Sequence, residues 1–229
     1  MLETLSVFQQ RTSYVWDSLP ASGSFVTNPG LTDKVGPDGK LLPFFGDTVI
    51  FPLASDECAW LREVQQSLYT ICGSLLAQTL PAGSFHITLH DLNSAPCLED
   101  VAAAMALSRD ASLPLIAALD DFAVEVRPTA VFSMVNTSVV LGFEPISEAD
   151  CTALMNLYER FQQVVPLSYP LTPHVTLAYY RPGDHGEDGL RMLRNAVAAA
   201  NHSLTPRIVR LSNPQYCRFA DMSRYIATR

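Results

Sequence analysis

The chain has 229 residues, 48% hydrophobic and 17% charged, a balance that fits a globular protein with a sizeable core and excludes a disordered one. A net charge of −8 and a pI near 5.0 argue against long RNA or DNA as a partner, while a small anionic substrate held by a few local groups remains open. No apolar run approaches the roughly 18 residues of a membrane span, and the opening MLETLSVFQQRTSYVW lacks the basic start and unbroken apolar core of a signal peptide, so a soluble, cytoplasmic protein without membrane contact is expected.

The five cysteines are odd in number and scattered, with no C-x-x-C pair, and read as reduced thiols rather than a zinc site or disulfide framework. Oligomeric state leaves no trace in the sequence.

Residues 1–46 differ from the rest. LETLSVFQQRTSYVWDSL reads as one amphipathic helix with Leu2, Leu5, Phe8, Val15 and Leu19 near one stripe. The following PASGSFVTNPGLTDKVGPDGKLLPFFG is dense in Pro and Gly, which favours turns, and a loop this long serves either as a lid over a cleft or as a surface wrapper. From residue 47 a unit appears: the β-rich run DTVIFPL, a helix opening at the acidic Ser55-Asp56 cap, the strand SFHITLHDL, a helix over about 98–119, and FAVEVRP. A second unit repeats the order: TSVVLGF, a helix from SEADCTALMNLYERFQQVV with a Ser-x-x-Asp start, PHVTLAYY, a helix over about 186–201, and RIVRLSN.

The two βαβ-like units agree in spacing. Thr48 stands 38 residues before His86, and Ser138 stands 36 before His174. Such self-similarity implies an internal duplication and pseudo-twofold packing, with equivalent strands facing one another across a shared cleft. The division this suggests is an extension over 1–46 and one bilobal domain over 47–229, with lobes of about 47–130 and 131–229 between which strands can be exchanged.

Each unit carries a His-x-Thr-Leu strand, HITL at 86–89 and HVTL at 174–177. With 15 Thr and 29 Leu in the chain, a given His is followed by x-Thr-Leu by chance about once in 120 cases, so two among five histidines is not expected by accident. Residues i and i+2 of a strand share a face. His86 with Thr88, and His174 with Thr176, therefore point together, while Ile87, Leu89, Val175 and Leu177 turn into the core. Two imidazoles at one cleft suit in-line displacement at phosphorus: one takes a proton from the attacking oxygen and the other gives one to the leaving oxygen. The threonine hydroxyls suit hydrogen bonds to non-bridging phosphoryl oxygens, and the scheme requires no metal and no cofactor.

One such motif per half of a duplicated α/β chain resembles the signature of the 2H phosphoesterase superfamily. The resemblance covers residues 47 to about 212 in organisation, and GPDGKLLPFFGDTVIFPL with PQYCRFADMSRYIA is similar to a branch bearing an N-terminal extension. It implies an α+β, bilobal, pseudo-twofold fold in which two mainly antiparallel sheets line a central cleft with helices outside. It also implies metal-independent action on cyclic phosphodiesters or 2′–5′ linkages of nucleotides or short RNA ends. On it His86 and His174 become the acid–base pair and Thr88 and Thr176 the phosphate contacts, with the acid and the base unassigned. Strand parity adds Tyr180 as a stacking candidate and His90 as a second cleft residue, and Arg181 is a source of local positive charge or a solvated surface group.

Two rivals stand beside this reading. A metal hydrolase would use His86, His90 and His174, but residues four apart on a strand lie roughly 13 Å from each other, too far to share an ion. A non-catalytic nucleotide- or protein-binding module on the same fold would keep the cleft without turnover; both His-Thr pairs being intact favours catalysis.

Overall fold

Two strands are shielded from solvent along almost their whole length, and both run through the middle of a sheet. A computed structural model describes residues 3–13 and 19–228. Strand β1 (Phe45–Pro52) and strand β4 (Ser138–Pro145) are buried nearly end to end, as befits strands covered on both faces. Their neighbours are β2 (His86–Ala95), β3 (Ala123–Met134), β5 (His174–Tyr179), β6 (Val209–Ser212), β7 (Gln215–Phe219) and β8 (Tyr225–Ala227). Two four-stranded sheets result, in the orders β2-β1-β7-β8 and β5-β4-β3-β6, and every pairing is antiparallel. The class is α+β, as expected, and the two units are βαβ in order of elements only.

Helix α1 (Leu5–Ser13) is shorter than the amphipathic pattern proposes; Leu2 and Val15 of its stripe lie outside the described residues. Helix α2 (Ser55–Cys72) begins one residue earlier than the Ser-Asp reading placed it. Ala54 is the cap, and its N–H is taken by the Glu57 carboxylate at 2.7 Å. Helix α3 (Leu98–Ala117) packs on β1, β2 and β7. Helix α4 (Glu148–Phe161) is capped by Ser147, whose hydroxyl oxygen accepts from Asp150 N–H at 3.1 Å. Helix α5 (Gly186–Ser203) packs on β3 and on α2. Among the described residues no helix is long and apolar enough to cross a membrane.

Strand β3, which a division near residue 130 leaves with the first half, pairs with β4 and β6 in the second sheet. The cause is local. A tight turn over Met134–Thr137 folds β3 straight back onto β4, with Val135 and Asn136 both at positive φ, 42° and 57°. In exchange, β7 and β8 close the first sheet; neither was read as a strand.

The Pro/Gly-rich segment is a strap rather than a free loop. Phe25 and Thr27 exchange backbone hydrogen bonds with residues 183–186, and Asn28 N–H donates to Asn136 O at 3.0 Å. Phe25 is fully buried, edge-on to Tyr180 at 4.8 Å and stacked on His185 at 5.9 Å. Further on, Phe44 N–H donates to Ala220 O at 2.9 Å, so the strap ends at the first sheet.

Candidate functional site

The register makes the duplication explicit. In the first sheet Ile50 opposes Thr88 and Pro52 opposes His86; in the second Val140 opposes Thr176 and Gly142 opposes His174. Strands β2 and β5 abut, and His86, Thr88, His174 and Thr176 all line a single cleft of about 780 Å³.

Each imidazole is fixed in the same way. Nδ1 of His86 lies 2.7 Å from the carbonyl oxygen of Ser84, and Nδ1 of His174 lies 2.7 Å from that of Thr172. A carbonyl can only accept, so Nδ1 carries the proton and, in the neutral ring, Nε2 is left with its lone pair. Among the described residues neither Nε2 has a partner, nor does either threonine hydroxyl. Four groups able to exchange protons or hydrogen bonds are thereby left to a ligand.

No family model matches the chain, and no curated protein matches it. Among solved structures it is similar to the conserved protein of unknown function ATU0111 from Agrobacterium tumefaciens, with a TM-score of 0.68, 16% identity, and 96% of this chain and 97% of that one covered. It is similar also to TT0787 of Thermus thermophilus, with a TM-score of 0.50 and 15% identity over 80% of this chain and 94% of that one. E. coli LigT, solved with NADP+, stands further off at a TM-score of 0.41 and 12% identity over 81% and 96%. At these identities the likeness is one of fold.

The alternation of both motif strands breaks at matching points. Between Val49 and Ile50, β2 spends an extra residue, Leu89; between Val139 and Val140, β5 spends Leu177. A bulge of this kind shifts every later side chain to the opposite face. Beyond it Asp91 and Tyr179, not His90 and Tyr180, take the open side.

The parity argument for Tyr180 therefore fails. Tyr180 is fully buried against Phe25, beside Ser133, and does not line the cleft. His90 borders the cleft but is only 1% exposed, its Nδ1 bonded to Asp91 O at 2.6 Å and its ring against Tyr158 and Phe161. Arg181 also sits away from the cleft, its Nε donating to Leu76 O at 3.1 Å.

Other lining groups escaped the sequence reading. Tyr225, from β8, lays its ring 4.1 Å from that of His86, and Phe219 follows at 5.3 Å from Tyr225. Lys34 and Phe44 arrive from the strap. The carboxylate of Asp47, almost completely buried beneath the wall, accepts from Asn93 N–H at 2.8 Å, Asn93 Nδ2 at 3.0 Å and the hydroxyls of Ser108 and Tyr216. Those bonds tie β2 to β1 across a second bulge, between Asp47 and Thr48.

Both histidine rings lie deep in the molecule with one edge open to the cleft. Burial pushes His86 down to about 4, helped by the nearby His174 and opposed by the Ser84 carbonyl and the Asp91 carboxylate. His174 is lowered by burial as well, against the Thr172 carbonyl and Asp91. Burial thus biases both rings toward the neutral form. Asp91, which accepts from the Tyr169 hydroxyl at 2.9 Å, is the carboxylate that raises both.

Proposed function

We propose that this chain is a phosphodiesterase of the 2H type that hydrolyses a small cyclic phosphate, a 2′,3′-cyclic nucleotide or RNA end, to a 2′-phosphate. The observation that carries the reading is the matched pair of imidazoles. Each is locked through Nδ1 to a backbone carbonyl 2.7 Å away, each has Nε2 unengaged, and both border one cleft with a threonine two residues on.

In this reaction the neutral Nε2 of one histidine takes a proton as water attacks phosphorus. The P–O3′ bond breaks, and the other histidine, protonated on Nε2, gives its proton to the departing 3′-oxygen. Thr88 and Thr176 donate to the non-bridging oxygens, where charge builds. Bound phosphate supplies the negative charge that lets one ring of the pair hold a proton despite burial. The near-symmetry of the two half-sites leaves the roles of acid and base unassigned between His86 and His174.

The test is incubation with 2′,3′-cyclic nucleotides in EDTA, comparing the wild type with His86→Ala and His174→Ala. Turnover in EDTA that falls by at least about a hundredfold in both variants is the expected result. Full activity in either variant removes the acid–base assignment. Turnover abolished by EDTA points to a metal hydrolase, and binding without turnover to a nucleotide-binding module.

A further inference from the structure

The chain of net charge −8 has two lysines, and one of them, Lys34, faces the cleft. Its backbone is held from both sides: Lys34 N–H donates to Leu31 O at 2.9 Å, and Lys34 O accepts from Leu42 N–H at 2.9 Å. Leu31 and Val35 are completely buried, so the strap cannot carry the lysine away without unseating them. The ammonium stands 4.9 Å over the ring of Phe44. Phe44 stacks on Phe219 at 6.3 Å, Phe219 meets Tyr225 at 5.3 Å, and Tyr225 meets His86 at 4.1 Å. An aromatic wall thus runs from the lysine to one of the reacting imidazoles, with the cation and His86 at opposite ends.

Among the described residues no carboxylate forms an ion pair with Lys34. Asp91 and Asp33 act on it only from a distance, and burial lowers its pKa. A lysine can lay its stem on an aromatic ring simply to cover apolar surface, with its head in water. Here the head lies over the Phe44 ring at the cleft, and only Asp91 and Asp33, at a distance, offset part of the hydration it loses. An anionic ligand group would supply that offset.

We propose that Lys34 binds a second anionic group of the substrate, separate from the phosphate held between the histidines. The substrate class is then a nucleotide that carries a further phosphate, its base or sugar lying along the Phe44–Phe219–Tyr225 wall. The proposal rests on the phosphodiesterase reading for the identity of the first phosphate, but its test does not require turnover.

The experiment is calorimetric titration of the full chain with adenosine 2′-monophosphate and adenosine 2′,5′-bisphosphate. Wild type, Lys34→Ala and Lys34→Arg are compared, with circular dichroism confirming that each is folded. The wild type is expected to bind the bisphosphate about tenfold or more tightly than the monophosphate, the scale of one charge-assisted contact. Lys34→Ala should lose that preference while binding the monophosphate as before, and Lys34→Arg should keep most of it. Equal affinity of the wild type for both probes overturns the proposal, as does a Lys34→Ala variant weakened equally toward both. If the preference depends on Lys34 but no cyclic phosphate is turned over, the second-anion site stands and the catalytic reading falls. If neither probe binds the wild type at millimolar concentration, both fall.

Discussion

Asp91 and Tyr179 occupy equivalent places in the two halves: each follows its motif histidine by five residues, and each lies just past a bulge that its strand makes at the motif leucine. One half of the duplicated site therefore carries a carboxylate where the other carries a phenol. The pair of imidazoles is near-symmetric; its surroundings are not.

This placement separates the two adjacent tyrosines. Tyr179 lines the cleft, while Tyr180 is packed behind it against Phe25. Tyr179→Phe is expected to change KM or kcat for a 2′,3′-cyclic nucleotide by about threefold or more, the scale of one neutral hydrogen bond. Tyr180→Phe, which keeps the ring that packs on Phe25, is expected to leave both within about twofold. Steady-state kinetics of the two variants decide it, and the reverse ranking would mean that the bulge at Leu177 is not there.

What was legible in the sequence, and what was not, divides at those same bulges. The repeated His-x-Thr-Leu strands and their flanking helices revealed the duplication because alternation and spacing are properties of side chains. A bulge leaves no such mark: Leu89 and Leu177 look like any inward residue, and the shift of face they cause packs Tyr180 away from the cleft and leaves a buried His90 only at its border. The locks on Nδ1 were hidden for another reason, since Ser84 and Thr172 act through backbone carbonyls that every residue possesses. Tyr225 sits on a strand of three residues, too short for periodicity to register. Lys34 and Phe44 lie in a Pro/Gly-rich strap whose path is set by bonds to distant turns, so composition announced a loop but not its destination.

Asp91 is the carboxylate that raises both motif histidines against the opposing effect of burial. Replacing it with Asn removes a negative charge but keeps the shape of the side chain. Both imidazoles should then titrate at lower pH than in the wild type, followed by NMR of their Cε1–H signals. Asp91 is exposed, so the change is expected to shrink as salt is added. Unchanged titrations at low salt would show that the carboxylate is too well solvated to act on the rings.

Val135 is a β-branched residue at φ 42°, a left-handed conformation that costs roughly 1–2 kcal/mol for a side chain of this kind. It is also 64% exposed, so little packing is lost when the side chain is removed. Val135→Gly should therefore stabilise the chain by about 1 kcal/mol, less than the full strain because glycine also gains freedom when unfolded. Thermal or urea denaturation reads the change directly. Since Val135 borders the cleft, a stabilised variant with weakened nucleotide binding would identify the strain as serving the site.

The depressed histidine leads to a pH dependence of folding with a definite sign. In the unfolded chain a histidine protonates near its ordinary value of about 6.5, whereas folded His86 waits until about 4. Between these values the unfolded state holds more protons, so acid favours unfolding. The contribution is fully present above about pH 6.5, is lost as pH falls toward 4, and changes no further below that. His86→Gln cannot take up the proton, so its stability curve should be flatter than the wild type's in that window, by up to one proton, while the two run parallel above pH 7. Carboxylates also titrate at the acid end, but they are common to both proteins and cancel in the difference. Denaturant midpoints measured every half unit from pH 4 to 8 make the comparison. Parallel curves throughout would mean that the His86 ring is as well hydrated as a histidine in the unfolded chain, and the neutral, Nδ1-locked imidazole on which the acid–base scheme depends would lose its physical basis.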